Sequence, residues 1–457
     1  MSDKDYIEQL KKENEELKQR IRELERLVGM NSKNSSKPPS SDFGPNTNPK
    51  ERNKKKGRKK KQGAQKGHEP HLRELLPPEA VTKTVNLFPE HCTCGCRDLK
   101  ACDEAPLRFQ TIDIPPIKPD VIEYIQHMRQ CKQCGEVIYR PLSDDIKRNV
   151  FGSGVLAVVG ILTGMLNTSK RKALEVINEV FGVPMSLGGL SNCEAKIATA
   201  IESPYNEVHD YVQSQDRSHA DESSWRRGNR LKGWVWTLCC TTAAVFMINA
   251  SRGQKAARKL LGCFTGTLNS DRWNGYIFYE GLRQICWAHL KRDFKAISEA
   301  EGNLGRIGNA LYALSKEILK LRRRVRDGTL QWKTFQRRMV TFQDEVERLL
   351  EKGATYDGKL SGKCRDILRH HRKCLWVFVS DEHVEPTNNA AEQIIRQAVI
   401  WRKMSFGTQS KRGAHYVERM LTVCATCRLQ GRSIITYMRD VCHCHLHNQP
   451  APSLKPE

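Results

Sequence analysis

The sequence predicts an α/β domain that carries a helical insertion and follows several smaller N-terminal segments. Three observations predict this class: residues 218–249 are rich in β-forming residues, shorter helical and strand patterns alternate after them, and a long charged helical pattern begins at Gly302. Three antiparallel strands followed by alternating helices and strands is the order of a ribonuclease-H-like fold. Such open sheets place polar side chains from several strand ends in one crevice.

Charge and length narrow the class of function. The chain has 457 residues, enough for two or three domains, and a formal net charge of +24. This excess indicates a polyanionic partner, usually nucleic acid, although a merely soluble basic protein has the same property. Met1–Lys12 lacks the apolar core of a signal peptide, and the apolar runs near Val155–Leu166 and Trp234–Ile248 are too short to cross a membrane. We therefore expect a cytoplasmic chain without a membrane partner.

The first segment, residues 1–30, has the heptad pattern of a coiled coil. One core position is always leucine, at Leu10, Leu17 and Leu24. The other is mostly β-branched, at Ile7, Asn14, Ile21 and Val28. This pattern favours a parallel dimer, with Asn14 fixing the register, although a single amphipathic helix is the alternative.

A basic linker, residues 31–75, follows the heptads. It is rich in Ser, Asn, Pro and Lys and has too few large apolar residues to fold alone. Its cations are expected to contact DNA phosphates, and the set is Lys54, Lys55, Lys56, Arg58, Lys59 and Lys60. A purely solvated linker is the alternative.

Paired cysteines in residues 76–145 predict a small zinc-binding β module. The chain has 17 cysteines, an odd number that argues for thiols and a metal site over a disulfide framework. The predicted tetrahedral ligands of one structural zinc are Cys92, Cys94, Cys131 and Cys134. His91 and Cys96 compete for a place in the irregular first pair. Strands are predicted at Phe109–Ile114 and Val121–Met128, between the two pairs.

Residues 146–205 predict three helices, at Gly152–Leu166, Ser169–Val180 and Ser186–Ile201. The second and third flank a turn that contains Gly182, and Ser186 is a suitable N-cap. This arrangement is typical of a helix-turn-helix that contacts DNA, and an ordinary helical bundle is the alternative.

Residues 206–440 contain three separated acidic residues that are candidate metal ligands. Asp221 and Asp271 are predicted at strand ends, and Glu392 on a helix that Thr387 or Asn388 caps. The apolar side of that helix is predicted to comprise Ala391, Ile394, Ile395 and Ala398. Three carboxylates suit two magnesium ions, although Glu392 and Arg396 also have the spacing of a simple surface ion pair.

A charged helical insertion is predicted at about residues 300–355, between Asp271 and Glu392. Leu311, Leu314, Ile318 and Leu321 form its apolar stripe. The cluster Arg322–Arg324 is expected to be a solvated face, with phosphate contact as the alternative. Farther on, Cys424 and Cys427 are expected in a core helix, and residues 441–457 in a C-terminal tail whose Cys/His run is a minor metal-binding candidate.

The chain resembles the DDE transposases of the insertion-sequence sixty-six group in a series of motifs that occur in the same order. The motifs are NSSKPPSSD from Asn34, the cysteine-rich module, ADES from Ala220, DRWNGY from Asp271, CWAHLKRDF from Cys286, and NNAAEQIIRQ with WRKMSFGTQ between Asn388 and Gln409. Thr387 and Ser223 depart from the common pattern but leave the acid trio intact.

The resemblance implies a transposase that binds element ends and catalyses metal-dependent strand cleavage and strand transfer. It implies that Asp221, Asp271 and Glu392 hold two Mg²⁺ or Mn²⁺ ions, and that His289 orients the substrate. Additional DNA contacts are expected at Arg292, Arg396, Arg402 and Lys403. The expected partners are double-stranded DNA, a second copy or larger synaptic assembly, and accessory proteins of the same element. The alternative function is a DNA-binding regulator whose acid trio is vestigial.

Overall fold

The computed structural model describes residues 3–28, 73–101, 104–143, 146–147, 149–228 and 231–456. The DNA contacts predicted from Lys54 to Lys60 lie outside these residues. The chain divides into two units, one formed by residues 1–44 with 119–457 and the other by residues 45–118. Each unit is described by itself below.

The predicted N-terminal helix is present as α1, Asp3–Val28. Three of the apolar heptad side chains, Leu17, Ile21 and Leu24, are exposed on it. The helix is confirmed, and its pairing with a second copy remains a prediction.

The described part of the 45–118 unit is mostly extended, with a 3₁₀ turn at Pro78–Ala80. Gln110 closes a loop in it, because its side-chain amide donates to the Leu76 carbonyl at 3.0 Å and its side-chain oxygen accepts from the Leu76 amide at 2.8 Å. The strand predicted at Phe109–Ile114 is wrong, since the segment has no ladder partner among the described residues and Phe109 is exposed.

The strand predicted at Val121–Met128 is also misplaced. The antiparallel hairpin in this part of the chain consists of β1, Met128–Gln130, and β2, Val137–Tyr139. It begins where the prediction ends, because the backbone pairs across the turn that contains Cys131 and Cys134. The apolar residues before it, such as Val121, remain exposed.

Four helices precede the main sheet: α2 (Ser153–Gly160, continued as a π turn at Ile161–Met165), α3 (Lys170–Glu179), α4 (Leu187–Ala200) and α5 (Glu202–Gln213). The three predicted helices are therefore confirmed. So is the cap at Ser186, whose hydroxyl accepts from the Gly189 amide at 3.1 Å.

These helices share one hydrophobic core with two C-terminal helices, α13 (Lys411–Leu429) and α14 (Ile434–Leu446). Gly164 allows the closest approach, because a Cβ atom there would lie 2.5 Å from the Met420 methyl group. The helical region that was predicted to bind DNA is thus also a structural layer of the fold.

The described chain forms a five-stranded sheet in the order β5-β4-β3-β6-β7. Its strands are β3 (Arg217–Arg227), β4 (Leu231–Cys239), β5 (Ala244–Asn249), β6 (Thr267–Ser270) and β7 (Arg283–Ile285). β3, β4 and β5 pair antiparallel, whereas β6 pairs parallel with both β3 and β7. The α/β class is therefore confirmed, as is the predicted order of strands along the chain.

Helices cover the sheet and its open edge. α6 (Gln254–Leu261) connects β5 to β6, and α7 (Trp287–Ile297) follows β7. At the β5 edge, Thr422 and Thr426 of α13 accept from the amides of Phe246 and Ala244 at 3.0 and 3.2 Å. These hydroxyls give buried edge amides the partners that a sixth strand would otherwise supply.

The insertion between α7 and Glu392 packs with β7 and α7 around a second hydrophobic core. It contains α8 (Gly302–Arg326), α9 (Trp332–Ala354), α10 (Lys359–Asp366), turns at Ile367–His371 and Arg372–Cys374, and α11 (Val377–Ser380). Leu311 and Ile318 are fully buried, as predicted. The insertion extends beyond residue 355, because Cys364, Ile367 and Phe378 complete the same core.

Helix α12 (Asn389–Ser405) packs its predicted apolar side inward and carries Glu392. Cys424 and Cys427 are buried in α13, as predicted. Helix α14 crosses residue 441, where the sequence placed the start of a tail, because Val441 and Cys442 are fully buried. None of the helices in the described part of the chain combines the length and apolar character needed to cross a bilayer.

Candidate active site

The two aspartates lie on neighbouring parallel strands but occupy different positions along them. Asp271 directly follows β6, as predicted. Asp221 lies within β3 and not at its end, because β3 continues to Arg227 in its antiparallel pairing with β4. The parallel pairing of β3 with β6 ends at His219, however. Asp221 therefore lies just beyond the point where the two strands separate, which opens space beside its carboxylate.

Glu392 is brought to the same place by the first turn of α12. The charges of Asp271 and Glu392, together with burial and the adjacent Glu222, raise the pKa of Asp221 well above its usual value. Burial is the largest cause and the like charges add to it. Three acids from separate elements thus interact electrostatically, and a cation between them would relieve their repulsion.

His289 and Cys286 lie beside Glu392. His289 Nδ1 is 3.5 Å from Glu392 Oε1, and the Cys286 thiol donates to the same oxygen at 3.9 Å. Burial, and then the positive charge of Arg292, lower the pKa of His289, which favours the neutral imidazole at pH 7. In the described part of the chain, Cys286, His289 and Glu392 are the one group of three potential metal ligands whose donor atoms all lie within 4.8 Å of one another.

The chemistry of the acid trio fits a hard divalent cation, since Mg²⁺ prefers carboxylate oxygens and retains several waters. The trio does not meet the 4.8 Å spacing that Cys286, His289 and Glu392 meet. Mg²⁺ also takes water and substrate oxygens as ligands, so the three carboxylates need not all contact one ion.

Asn388 attaches the start of α12 to the sheet. Its side-chain amide donates to the Ala220 carbonyl at 2.7 Å, and its side-chain oxygen lies 3.1 Å from His219 Nδ1. Its backbone amide donates to the Cys286 sulfur at 3.2 Å. Asn388 is the N-cap residue of α12, as predicted, but the expected side-chain cap hydrogen bond is absent because β3 engages that side chain.

Glu222 was not identified from the sequence, and it is a buried neighbour of the trio. Arg252 donates to its Oε1 at 2.9 and 3.0 Å, and the Tyr276 hydroxyl donates to its Oε2 at 2.9 Å. Burial, and then the charge of Asp271, raise the pKa of Glu222 to about 7. Tyr276 belongs to the DRWNGY motif that begins at Asp271, so this motif was the sequence signal that could have pointed to Glu222. Glu222 is thus a structural acid with its own counter-cation.

Asp293 is a second acid with dedicated partners. Arg272 donates to its Oδ2 at 2.8 Å, and Lys363 of the insertion pairs with its other oxygen. These cations lower the pKa of Asp293 despite the opposing effect of its burial. Arg272 and Lys363 therefore hold the insertion against α7.

The basic residues predicted to contact DNA differ in their exposure and in the hydrogen bonds that they already make. Arg396 and Lys403 are exposed, and Arg292 is half-buried near His289. Arg402 donates to the Ser223 hydroxyl at 3.2 Å and also to Ser224. Arg402 therefore joins α12 to β3, which adds a structural role to the predicted one.

Each cysteine pair forms a compact turn. The Gly95 amide donates to the Cys92 carbonyl at 2.8 Å, and the Gly135 amide donates to the Cys131 carbonyl at 2.9 Å. Both glycines have positive φ, 87° and 75°, which other residues rarely adopt. Hydrogen bonds, chiefly from the following cysteine of each pair, lower the pKa of Cys92 and Cys131 and so favour the thiolates that a metal requires.

Comparisons with known proteins agree with these motifs. Residues 148–416 match the family described as "Transposase IS66 family", and the match includes the acid trio and His289. Residues 4–74 match a family of unknown function. The uncharacterized protein y4hP of Sinorhizobium fredii is 23% identical over 406 residues, 77% of this chain and 70% of that protein. The uncharacterized protein y4qI of the same organism is 23% identical over 288 residues, 55% of this chain and 51% of that protein.

We predict that Asn388→Ala lowers the free energy of unfolding by about 2 to 4 kcal/mol, because two buried polar groups lose their partner. Urea denaturation measures the change. The matched control is Asn389→Ala, since Asn389 is exposed and belongs to the same motif; its effect is expected to stay below about 0.5 kcal/mol. Equal losses in both variants would contradict the role assigned to Asn388.

Proposed function

The chain belongs to the transposase IS66 family, and on that premise we propose that it cuts and joins DNA at the ends of a bacterial insertion sequence. The supporting observation is that three acids from separate elements interact: burial first, and then the charges of Glu222, Asp271 and Glu392, raise the pKa of Asp221. The strand order, with three antiparallel strands followed by two parallel ones, supports a ribonuclease-H-like catalytic domain.

We assign Asp221, Asp271 and Glu392 as ligands of Mg²⁺ or Mn²⁺. Two such ions, when bound, activate the attacking oxygen and stabilise the charge on the leaving oxygen of a phosphodiester. The carboxylates fix where those oxygens lie, and Asn388 and Cys286 fix the helix that carries Glu392.

The proposed reaction has two steps at the same carboxylates. Hydrolysis at an element end releases a 3′-hydroxyl, and that hydroxyl then attacks a phosphodiester of the target DNA. His289 is assigned to orient a phosphate oxygen, with Arg292 beside it, because its neutral imidazole lies next to Glu392. Hydrolysis consumes one water and leaves a 3′-hydroxyl and a 5′-phosphate. In strand transfer the 3′-hydroxyl forms a new phosphodiester while the 3′-oxygen of the target strand leaves, so neither step needs an external energy source.

We predict that Asp221→Asn, Asp271→Asn and Glu392→Gln each reduce Mg²⁺-dependent nicking and joining of labelled element-end DNA at least about a thousandfold. The losses should be similar and non-additive, because each change disables the same unit. DNA affinity in a mobility-shift assay should change little, since phosphate neutralisation by basic residues supplies it.

The control for these variants is Glu280→Gln, which changes an exposed acid in the same domain. Glu222 and Asp293 are unsuitable, because both are buried and paired with cations. Binding without cleavage by the parent protein would indicate a DNA-binding regulator and would refute the proposed catalysis.

We also propose that the two cysteine turns hold one structural zinc. The support is that each turn has the left-handed glycine and lowered thiol pKa suited to metal binding. Cys131→Ser/Cys134→Ser is predicted to lose about one zinc per chain by elemental analysis, because two of four ligands are removed. The exposed Cys263 provides the control, Cys263→Ser, which should retain the metal. Equal zinc content in all three proteins would exclude the site.

We further propose that α1 pairs with α1 of a second copy. Its exposed Leu17, Ile21 and Leu24 support this, because an unpaired apolar seam is costly in water. Leu17→Lys/Leu24→Lys should convert the full chain from dimer to monomer in analytical ultracentrifugation. The control, Gln9→Lys/Glu16→Lys, places lysines at exposed positions off the seam and should leave the dimer intact. A leucine variant that remains dimeric would show that another surface holds the copies together.

A further inference from the structure

A cavity of about 610 Å³ lies between the insertion helix α8, the start of α7 and the segment that leads into α12. Its lining includes six cationic side chains, which are Lys291, Lys316, Lys320, Arg322, Arg323 and Arg326. Two acids, Glu317 and Glu385, also line it. The balance is strongly positive, so the cavity suits an anion.

Arg322 is a built-in anion-binding group of this cavity and not a solvated surface residue. It is only 6% exposed, donates to the Glu382 carbonyl, and lies 3.8 Å from the Glu385 carboxylate. Its Nε is buried and has no hydrogen-bond acceptor among the described residues. Its guanidinium adds positive charge at the wall of the cavity. Arg322 therefore departs from the solvated face expected for Arg322–Arg324, whereas Arg323 and Arg324 are exposed as expected.

The start of α12 adds to the attraction. Thr387 and Asn389 line the cavity, and Asn388 makes no side-chain cap to the helix. The free amides of the first turn and the helix dipole both favour negative charge at this end. The cationic side chains and the start of α12 thus line the same cavity.

The cavity is adjacent to the proposed catalytic carboxylates. Ala288, in its wall, precedes His289, and Asn389 precedes Glu392 by three residues. Three residues of helix rise about 4.5 Å, and neighbouring phosphates of one DNA strand rise about 3.4 Å. One strand therefore spans the distance from Glu392 to the cavity within roughly two nucleotides.

We propose that this cavity binds backbone phosphates of the DNA strand that passes through the active site. This inference rests on the proposed function and extends it, because it assigns a helix of the insertion to substrate positioning. Lys316, Lys320 and Arg323 are exposed at the cavity and accessible to phosphates, while Arg322 forms its buried base. The insertion is then a second wall of the DNA channel.

The test compares DNA binding by the full chain and by Lys316→Gln/Lys320→Gln/Arg323→Gln. The probe is a fluorescent random-sequence 30-base-pair duplex, titrated at several salt concentrations. Each lost phosphate contact reduces the slope of log K against log salt by about 0.9, so the slope should become shallower by about 2 to 3. The affinity should fall at least about tenfold at low salt. Lys316→Arg/Lys320→Arg/Arg323→Lys should bind like the parent.

The matched control is Lys333→Gln/Arg338→Gln/Lys352→Gln. It removes the same charge from exposed positions on α9, which does not line the cavity. An unchanged slope in the cavity variant, an equal change in the control, or no binding of the duplex by the parent would overturn the inference. Cleavage by the parent is measured separately, so a parent that binds through the cavity but does not cleave would refute only the proposed catalysis.

Discussion

The candidate site depends on how residues 385–388 are attached to three strand ends. Asn269 of β6 donates its side-chain amide to the Glu385 carbonyl at 2.6 Å, and the Trp287 amide, just after β7, donates to the Pro386 carbonyl at 2.8 Å. Asn388 completes the attachment to β3. The Asn388–Ala220 hydrogen bond is buried and those of Asn269 and His219 are partly buried, so each is costly to leave unmade. They hold the first turn of α12, and with it Glu392, over the opening between β3 and β6.

The acids near this opening fall into two groups with different electrostatics. Glu222 and Asp293 each have dedicated cationic partners, Arg252 for one and Arg272 with Lys363 for the other. Asp221 has like charges as its neighbours, and its pKa is raised first by burial and then by these charges. The paired acids stabilise the surrounding elements, whereas Asp221 carries an unfavourable interaction that a cation would relieve. Such uncompensated charge is typical of functional sites.

The insertion places part of the chain's positive charge near the acid trio. Its inner residues share a hydrophobic core with β7 and α7, which packs α8 against this end of the sheet. Lys363 ties the insertion to Asp293 of α7, and Arg322 ties α8 to the segment before α12. The outward side of α8 therefore presents its cations next to the carboxylates. This surface would attract the negatively charged DNA strand of our proposal, even though the carboxylates alone would repel it.

The sequence alone predicted most of the helices, the order of the strands along the chain and three candidate acids, because these predictions rest on local periodicity and on short motifs. The helices Lys170–Glu179 and Leu187–Ala200 were predicted to within one residue at each end, since apolar spacing and the Ser186 cap are local signals. The tertiary structure decided the contacts between distant segments. The Asn388 side chain bonds to β3 and not to its own helix, Glu222 is neutralised by Arg252, and Arg322 is buried beside a cavity. Each of these contacts joins residues that lie 30 to 168 positions apart in the sequence, or depends on packing between elements. Neither periodicity nor a motif specifies such a partner.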